Sequence, residues 1–194
     1  MKPLNALLVV SLTLGLLYGC AAAVVGGAAT GATAAHDRRT VGTFIDDEGI
    51  ELKARLAIFN DKDLNSQIHI NIISINGVVL LVGQAPTEAM RQHATELVQA
   101  VPKVRLVHNE MTIAAPNSYM TRSSDSLITA KVKASLFSIK ELPNFDPTRV
   151  KVVTENGIVY LMGILTHKEA NAVTDMARQV GGVQKIVKLF EYLD

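Results

Sequence analysis

Tryptophan is missing from this chain of 194 residues, aromatic side chains make up 5% of it, and it holds a single cysteine. Without tryptophan there is no aromatic platform for sugar rings. With 19% charged residues and a net charge of +1 there is no basic surface suited to nucleic acid. One thiol excludes an internal disulfide, and its place near the N-terminus argues against a metal site or a catalytic thiol. Charge is also missing between Lys2 and Asp37. With residues 1–19 set aside, 18 basic and 18 acidic side chains remain, so the remainder is neutral at pH 7 and overall electrostatics select no partner. What is plentiful is apolar content, 48%, too much for a mainly disordered chain.

Residues 1–20 have the make-up of an export signal. Lys2 supplies the positive start, Leu4 to Leu17 is mostly apolar, and Leu17-Tyr18-Gly19-Cys20 follows. That tetrapeptide resembles a bacterial lipobox. The resemblance implies cleavage before Cys20, diacylglyceryl transfer to its thiol and acylation of the new amine, although Tyr18 departs from the small or β-branched residue usual there. Three acyl chains exceed the two signals that stable anchoring needs, at roughly 0.8 kcal/mol per buried methylene. The expected arrangement is a signal peptide over 1–19, then a lipidated Cys20 and an Ala/Gly-rich linker over 20–45. The competing reading is one uncleaved transmembrane helix, with Gly27 and Gly31 at GxxxG spacing. Against it, residues 21–35 are mostly weakly inserting Ala, Gly and Thr, and the apolar run alone is too short to span. Ala21 after the cysteine, rather than Asp, implies by the same resemblance an outer-membrane location facing the periplasm.

The rest of the chain repeats itself. Asp47, Ile50, Lys53, Ala54, Arg55, Ile58 and Phe59 match Asp125, Ile128, Lys131, Val132, Lys133, Leu136 and Phe137 at an offset of 78. Asn76 to Gly83 match Asn156 to Gly163 at an offset of 80, and Val101 and Val104 match Val180 and Val183 at 79. Two copies therefore span 46–114 and 122–194, joined by a short linker over 115–121.

Each copy reads as αββαβ. Ile50, Ala54 and Ile58, like Ile128, Val132 and Leu136, lie four apart and share one helical face, with Asp47 and Asp125 placed to cap those helices. Ile68, Ile70 and Ile72 alternate with His69 and Asn71 as a half-buried strand does, and Val150 and Val152 take the same part in copy two. Asn76-Gly77 and Asn156-Gly157 accept the positive φ of a tight hairpin. The apolar runs 78–82 and 158–162 return as central strands that Gly83 and Gly163 end. A second helix follows, opened in copy two by a capping box from Thr166 to Glu169, and a last strand near 104–113 or 183–192 closes the copy. The fold class is α+β: two modules, each a three-stranded sheet covered on one face by two helices. At about 70 residues each is marginal alone, and packing between them adds stability.

A charged amphipathic helix, an Asn-Gly hairpin, an apolar strand ending in Gly and a final V-x-x-V strand resemble the BON domain. Two such domains behind a lipobox resemble the dual-BON outer-membrane lipoproteins of Gram-negative bacteria. The likeness covers essentially the whole chain and includes Val41-Gly42-Thr43, Leu81-Val82-Gly83-Gln84, Thr154-Glu155-Asn156-Gly157 and Leu161-Met162-Gly163. It implies binding of anionic, phosphatidylglycerol-like phospholipid, largely through the second domain, and a role in outer-membrane integrity and envelope remodelling at cell division.

Charge separates the copies independently of that likeness. Residues 46–113 hold 6 basic and 9 acidic side chains, net −3, whereas 121–194 hold 10 and 8, net +2. At an anionic surface each Lys or Arg contributes about 1 kcal/mol, so the second copy suits lipid and the first does not. In the second copy no acid lies between Asp125 and Glu141, and Leu127 stands where the first has Gly49. The expected phospholipid-binding set is Leu127, Ile128, Lys131, Lys133, Ala134, Ser135 and Ser138. Within it, Leu127, Lys131, Ala134 and Ser138 form one stripe and Lys131 and Lys133 meet phosphate. The bland reading is an ordinary solvated face with Leu127 packed against a neighbour. Copy one, acidic and without a membrane-like helix, is expected to be structural or partner-facing. The alternative function is a scaffold for envelope protein partners, touching membrane through the Cys20 anchor alone.

Nothing in the sequence points to catalysis. The five histidines show no metal-ligand spacing, Gly26-Gly27 and Gly181-Gly182 lack the setting of a phosphate loop, and no nucleophile elbow appears. Glu155 beside Asn156-Gly157 reads as turn chemistry. No enzyme activity, cofactor, metal, nucleic acid or small-molecule substrate is expected.

Overall fold

The computed structural model describes residues 38–193. The export signal and the lipidation of Cys20 fall outside the described residues. Copy one consists of α1 (Val41–Asn60), β1 (His69–Ile75), β2 (Val78–Ala85), α2 (Glu88–Gln99), β3 (Leu106–Asn109) and β4 (Thr112–Ile113). Copy two follows with α3 (Tyr119–Leu136), a 3-10 turn at Pro147–Arg149, β5 (Lys151–Glu155), β6 (Ile158–Leu165), α4 (His167–Arg178) and β7 (Lys185–Tyr192). In each sheet the hairpin's return strand is central. It pairs antiparallel with the strand before it, Ile75 opposite Val78 and Glu155 opposite Ile158, and parallel with the last strand.

The first helices begin earlier than their apolar spacing suggests. Thr40 and Ser118 are the N-caps, their hydroxyls accepting from the backbone N–H of Thr43 and Thr121. Asp47 and Asp125 are therefore not caps. They lie inside the helices, buried, and their carboxylates turn inward to the hairpin. Asp125 accepts from the backbone N–H of Asn156 and of Gly157, both at 2.9 Å. Asp47 does the same for Asn76 and Gly77 at 2.8 and 2.9 Å, and also accepts from the Ser74 hydroxyl at 2.7 Å. The two turn residues have positive φ, 52° and 72° in both copies, which leaves their N–H groups pointing away from any strand partner. A carboxylate from the helix satisfies them, and that contact fixes where the helix lies on the sheet.

Gly83 and Gly163 do not end their strands, which run on to Ala85 and Leu165. They permit close approach instead. A Cβ on Gly83 would stand 2.0 Å from the carbonyl oxygen of His69, and one on Gly163 would stand 2.9 Å from that of Arg149. The final strand also differs between copies: β7 is continuous, whereas in copy one Met111 turns into the core and splits the strand into β3 and β4. Asn109 stabilises the break, its side-chain oxygen accepting from the Met111 N–H and its amide donating to Thr95 and Arg91.

Each pair of helices covers one face of its sheet, through Ile50, Ala54, Ile58, Ala94 and Val98 in copy one and Ile128, Val132, Leu136, Val173 and Ala177 in copy two. The opposite faces cover each other. Ile75, Leu80 and Val82 pack with Tyr160 and Met162, and Ile73, Val153, Val187 and Leu189 close the margins. The layers run helix, sheet, sheet, helix, which is why both central strands are apolar on alternate and intervening positions alike. Each large side chain so buried contributes roughly 1.5–3 kcal/mol over an exposed one, so neither sheet keeps an open face to water.

Removing the turn contact should cost more than removing a cap. Asp125→Ala leaves two N–H groups without their acceptor and is expected to lower unfolding stability by about 2–4 kcal/mol, against about 1 kcal/mol for Ser118→Ala. Urea denaturation of the two variants checks this, and equal losses would contradict it.

Candidate functional site

Along α3 the structure divides the expected residues by direction. Leu127 is 63% exposed, and Lys131, Ala134 and Ser138 are exposed on the same side. Two turns before Leu127, Met120 extends this stripe at 83% exposure, next to exposed Tyr119. Ile128 does not belong to the surface: at 7% exposure it packs in the core against the turn at Gly182. Ser135 is half-buried, and its hydroxyl donates to the carbonyl of Val132 at 2.8 Å. Lys133 is exposed but lies six residues, about a third of a turn out of phase, from Leu127, and overlooks a cleft toward copy one. Met120 and Tyr119 were not legible as site residues because the helix was expected to start near Asp125.

Copy one does not lack an apolar helix face. Val41, Ile45, Leu52, Leu56 and Phe59 fall on one side of α1 and are all exposed, with the acidic Glu48 among them. The spacing four, seven, four and three keeps these residues within a narrow stripe. They lie on the side opposite Ile50, Ala54 and Ile58, so a reading of α1 for its core face passes over them.

Polar contacts rim the seam between the copies. Arg38 grips Glu169 with two 2.7 Å contacts and also donates to the carbonyl of Ile164. Lys151 donates to Glu51 at 2.8 Å. The Asn76 side chain donates to Glu191 at 2.9 Å. Deepest is Glu155, which sequence reading assigned to turn chemistry. It is buried and faces copy one, accepting from Gln84 at 2.8 Å, from Asn117 of the linker at 2.9 Å and from Asn71 at 3.4 Å, with His69 at 3.5 Å. The alternation of His69 and Asn71 with isoleucines thus records a face turned to the second copy, not to water.

Burial by itself raises the Glu155 carboxyl, but hydrogen bonds from His69, Gln84 and Asn117 and the charge of His69 outweigh it and hold the group below its ordinary 4.5. Burial raises Asp47 and Glu169 too, and their donors, Gly77 and Ser74 for the first and Arg38 and Thr166 for the second, hold both below the usual range. Burial, then the negative charges of Glu110 and Glu155, push the Tyr160 phenol up to about 12. Among the described residues no three His, Cys, Asp or Glu side chains are grouped to hold a metal ion, and no helix is long and apolar enough to cross a membrane.

This fold, repeated twice around a shared seam, is that of a tandem α+β module. The chain belongs to the BON-domain family, whose model matches residues 46–115 and 124–194. It is 40% identical over 194 residues to the outer membrane lipoprotein DolP of Haemophilus influenzae, covering 100% of this chain and 99% of that one. It is 36% identical to a 21 kDa hemolysin of Actinobacillus pleuropneumoniae, over 81% of this chain and 79% of that one. To the osmotically-inducible protein Y of Escherichia coli it is 26% identical, over 75% and 72%. The full-length similarity supports an outer-membrane BON lipoprotein.

A carboxyl held below its ordinary value contributes stability that is complete above that value and is lost as pH falls through the lower, folded pKa. Glu155→Gln should lower unfolding stability by about 1–3 kcal/mol at pH 7, because Gln84 and Asn117 lose a charged acceptor. The gap between variant and parent should close as pH falls below 4.5. Denaturation at pH 7 and pH 3 tests both statements, and a gap of constant size would contradict the assignment.

Proposed function

We propose that this protein is a non-enzymatic lipoprotein, anchored through Cys20 with its folded part facing the periplasm, that binds anionic phospholipid through α3 of its second copy. In that role it supports outer-membrane integrity and envelope remodelling at division. The observation that carries the reading is the exposed stripe of Met120, Leu127, Lys131, Ala134 and Ser138 on the more basic of the two copies. Apolar tips with a cation between them suit the boundary of head group and acyl chain, where the side chain of Leu127 leaves water and Lys131 stays with phosphate. Ile128 takes no part except to hold the helix on its sheet.

A second reading draws on α1. Its exposed stripe of Val41, Ile45, Leu52, Leu56 and Phe59, with the acidic Glu48 among them on the more acidic copy, fits an envelope protein partner better than an anionic membrane. The two readings are compatible, since the stripes lie on different copies.

Flotation with phosphatidylglycerol vesicles tests the first. The chain begun at Ala21, which lacks the lipidated residue, should float. Leu127→Glu should abolish flotation, and Lys131→Glu, a change of two charges, should weaken it roughly 30-fold. Unchanged binding by both variants would sink the placement, and absence of flotation together with capture of a defined envelope protein would favour the scaffold reading.

A further inference from the structure

The α3 stripe leaves unexplained a cleft along the side of the sandwich, where the first strands of the two sheets, β1 and β5, come together. It encloses about 530 Å³, within the range of roughly 300–1,000 Å³ usual for ligand sites, and both copies build it. Copy one contributes Arg55, Glu51 and the β1 segment around Ile73, and copy two contributes Lys133 of α3, its C-cap Phe137, and Lys151 and Val153 of β5.

Its charge is one-sided. Glu51 is the one carboxylate on the wall, and it is already held by Lys151 at 2.8 Å, by Arg55 at 3.0 Å and by the backbone N–H of Ser74 at 2.9 Å. Three cations stand against Glu51 on the wall and Glu48, which lies 3.6 Å from Lys151 at its edge, so the cleft keeps a surplus of one positive charge, and the ammonium of Lys133 has no hydrogen bond or ion pair among the described residues. The remaining wall is apolar. Phe137, the C-cap of α3 four residues after Lys133, is exposed although large and aromatic, and the valines and isoleucines of β5 and β1 continue the surface inward.

We propose that this cleft is a binding site for a single anionic amphiphile. Its acidic head group lies among Lys133, Arg55 and Lys151, and its apolar part lies on Phe137 and the wall formed by Ile73 and Val153. The site rests on the reading that the protein takes anionic lipid, and extends it from a stripe on one copy to a pocket that needs both. Lys133 then has a role distinct from Lys131: the first belongs to the pocket, the second to the surface. Charge complementarity favours an acidic head group over a zwitterionic one, and the apolar wall favours a lipid over a free phosphate ester.

Monomeric short-chain lipid separates pocket from surface. The chain begun at Ala21 is titrated with dihexanoyl phosphatidylglycerol below its micelle concentration, with dihexanoyl phosphatidylcholine and with glycerol 3-phosphate, followed by amide NMR shifts and calorimetry. Saturable one-to-one binding of the phosphatidylglycerol is expected, with shifts at Arg55 and Ile73 as well as Lys133 and Phe137, and at least tenfold weaker binding of the other two. Lys133→Glu and Arg55→Gln should each weaken it at least tenfold with the thermal transition retained, and Lys133 is solvent-exposed, so its variant keeps the fold. Leu127→Glu should lose vesicle flotation yet keep monomer binding. Equal binding of glycerol 3-phosphate, or unchanged phosphatidylglycerol binding in Lys133→Glu, overturns the proposal. Loss of both monomer and vesicle binding in Leu127→Glu also overturns it, by assigning all lipid contact to the stripe. If the parent chain fails to float but binds the monomer as described, the surface reading fails and the pocket stands.

Discussion

A carboxylate buried under a helix and hydrogen-bonded to the two amides of an Asn-Gly turn fixes each copy of this protein. The turn needs it because residues with positive φ direct their N–H groups away from the ladder. The helix needs it because the carboxylate would otherwise be desolvated without donors. Each element thus removes the other's unfavourable group, and the helix has one position on the sheet. The copies answer the remaining charge differently. In copy one Arg39 joins Asp47 at 2.6 Å, and copy two, with Asn117 at the matching position, has no such cation there.

From that anchoring the larger arrangement follows. With the helices held on one face, the second face of each sheet is a flat apolar surface, and the two surfaces cover each other. The polar groups that remain are placed at the margins, where Glu155, Glu51, Glu169 and Glu191 each find donors on the other copy. Buried charges such as Glu155, Glu51 and Glu169 add little net stability when paired, but each is costly if its partner is lost, so they favour one registry of the sheets over others. The linker contributes to the same registry through Asn117, which reaches both Gln84 and Glu155.

Much of this was legible in the sequence. The repeat, the αββαβ order, the hairpins and the core faces of both first helices follow from period and turn chemistry, because those signals are local. The misreadings share one cause, which is that a partner distant in sequence decides the role. Asp47 and Asp125 have the chemistry of caps, and only the hairpin folded back over the helix shows them as turn acceptors. His69 and Asn71 look like residues facing water, and Glu155 like part of a turn, until the second sheet is laid against them. Ile128 was grouped with a surface it underlies, and Lys133 was placed beside Lys131 although the helix turns it toward the other copy. The apolar stripe of α1 was hidden by its own spacing, since five hydrophobics on the outer side blur the contrast that marks an amphipathic helix.

Arg38 bears on how the folded body meets whatever lies upstream of it. This residue precedes the first helix of copy one, yet its guanidinium is fastened to the capping-box glutamate and to a strand carbonyl of copy two. The chain's entry into α1 is therefore tied by a side chain to the start of α4 as well as by its backbone to the start of α1. The bidentate pair thus spans the seam at the point where the chain enters the folded body. The two copies are yoked where the first of them begins.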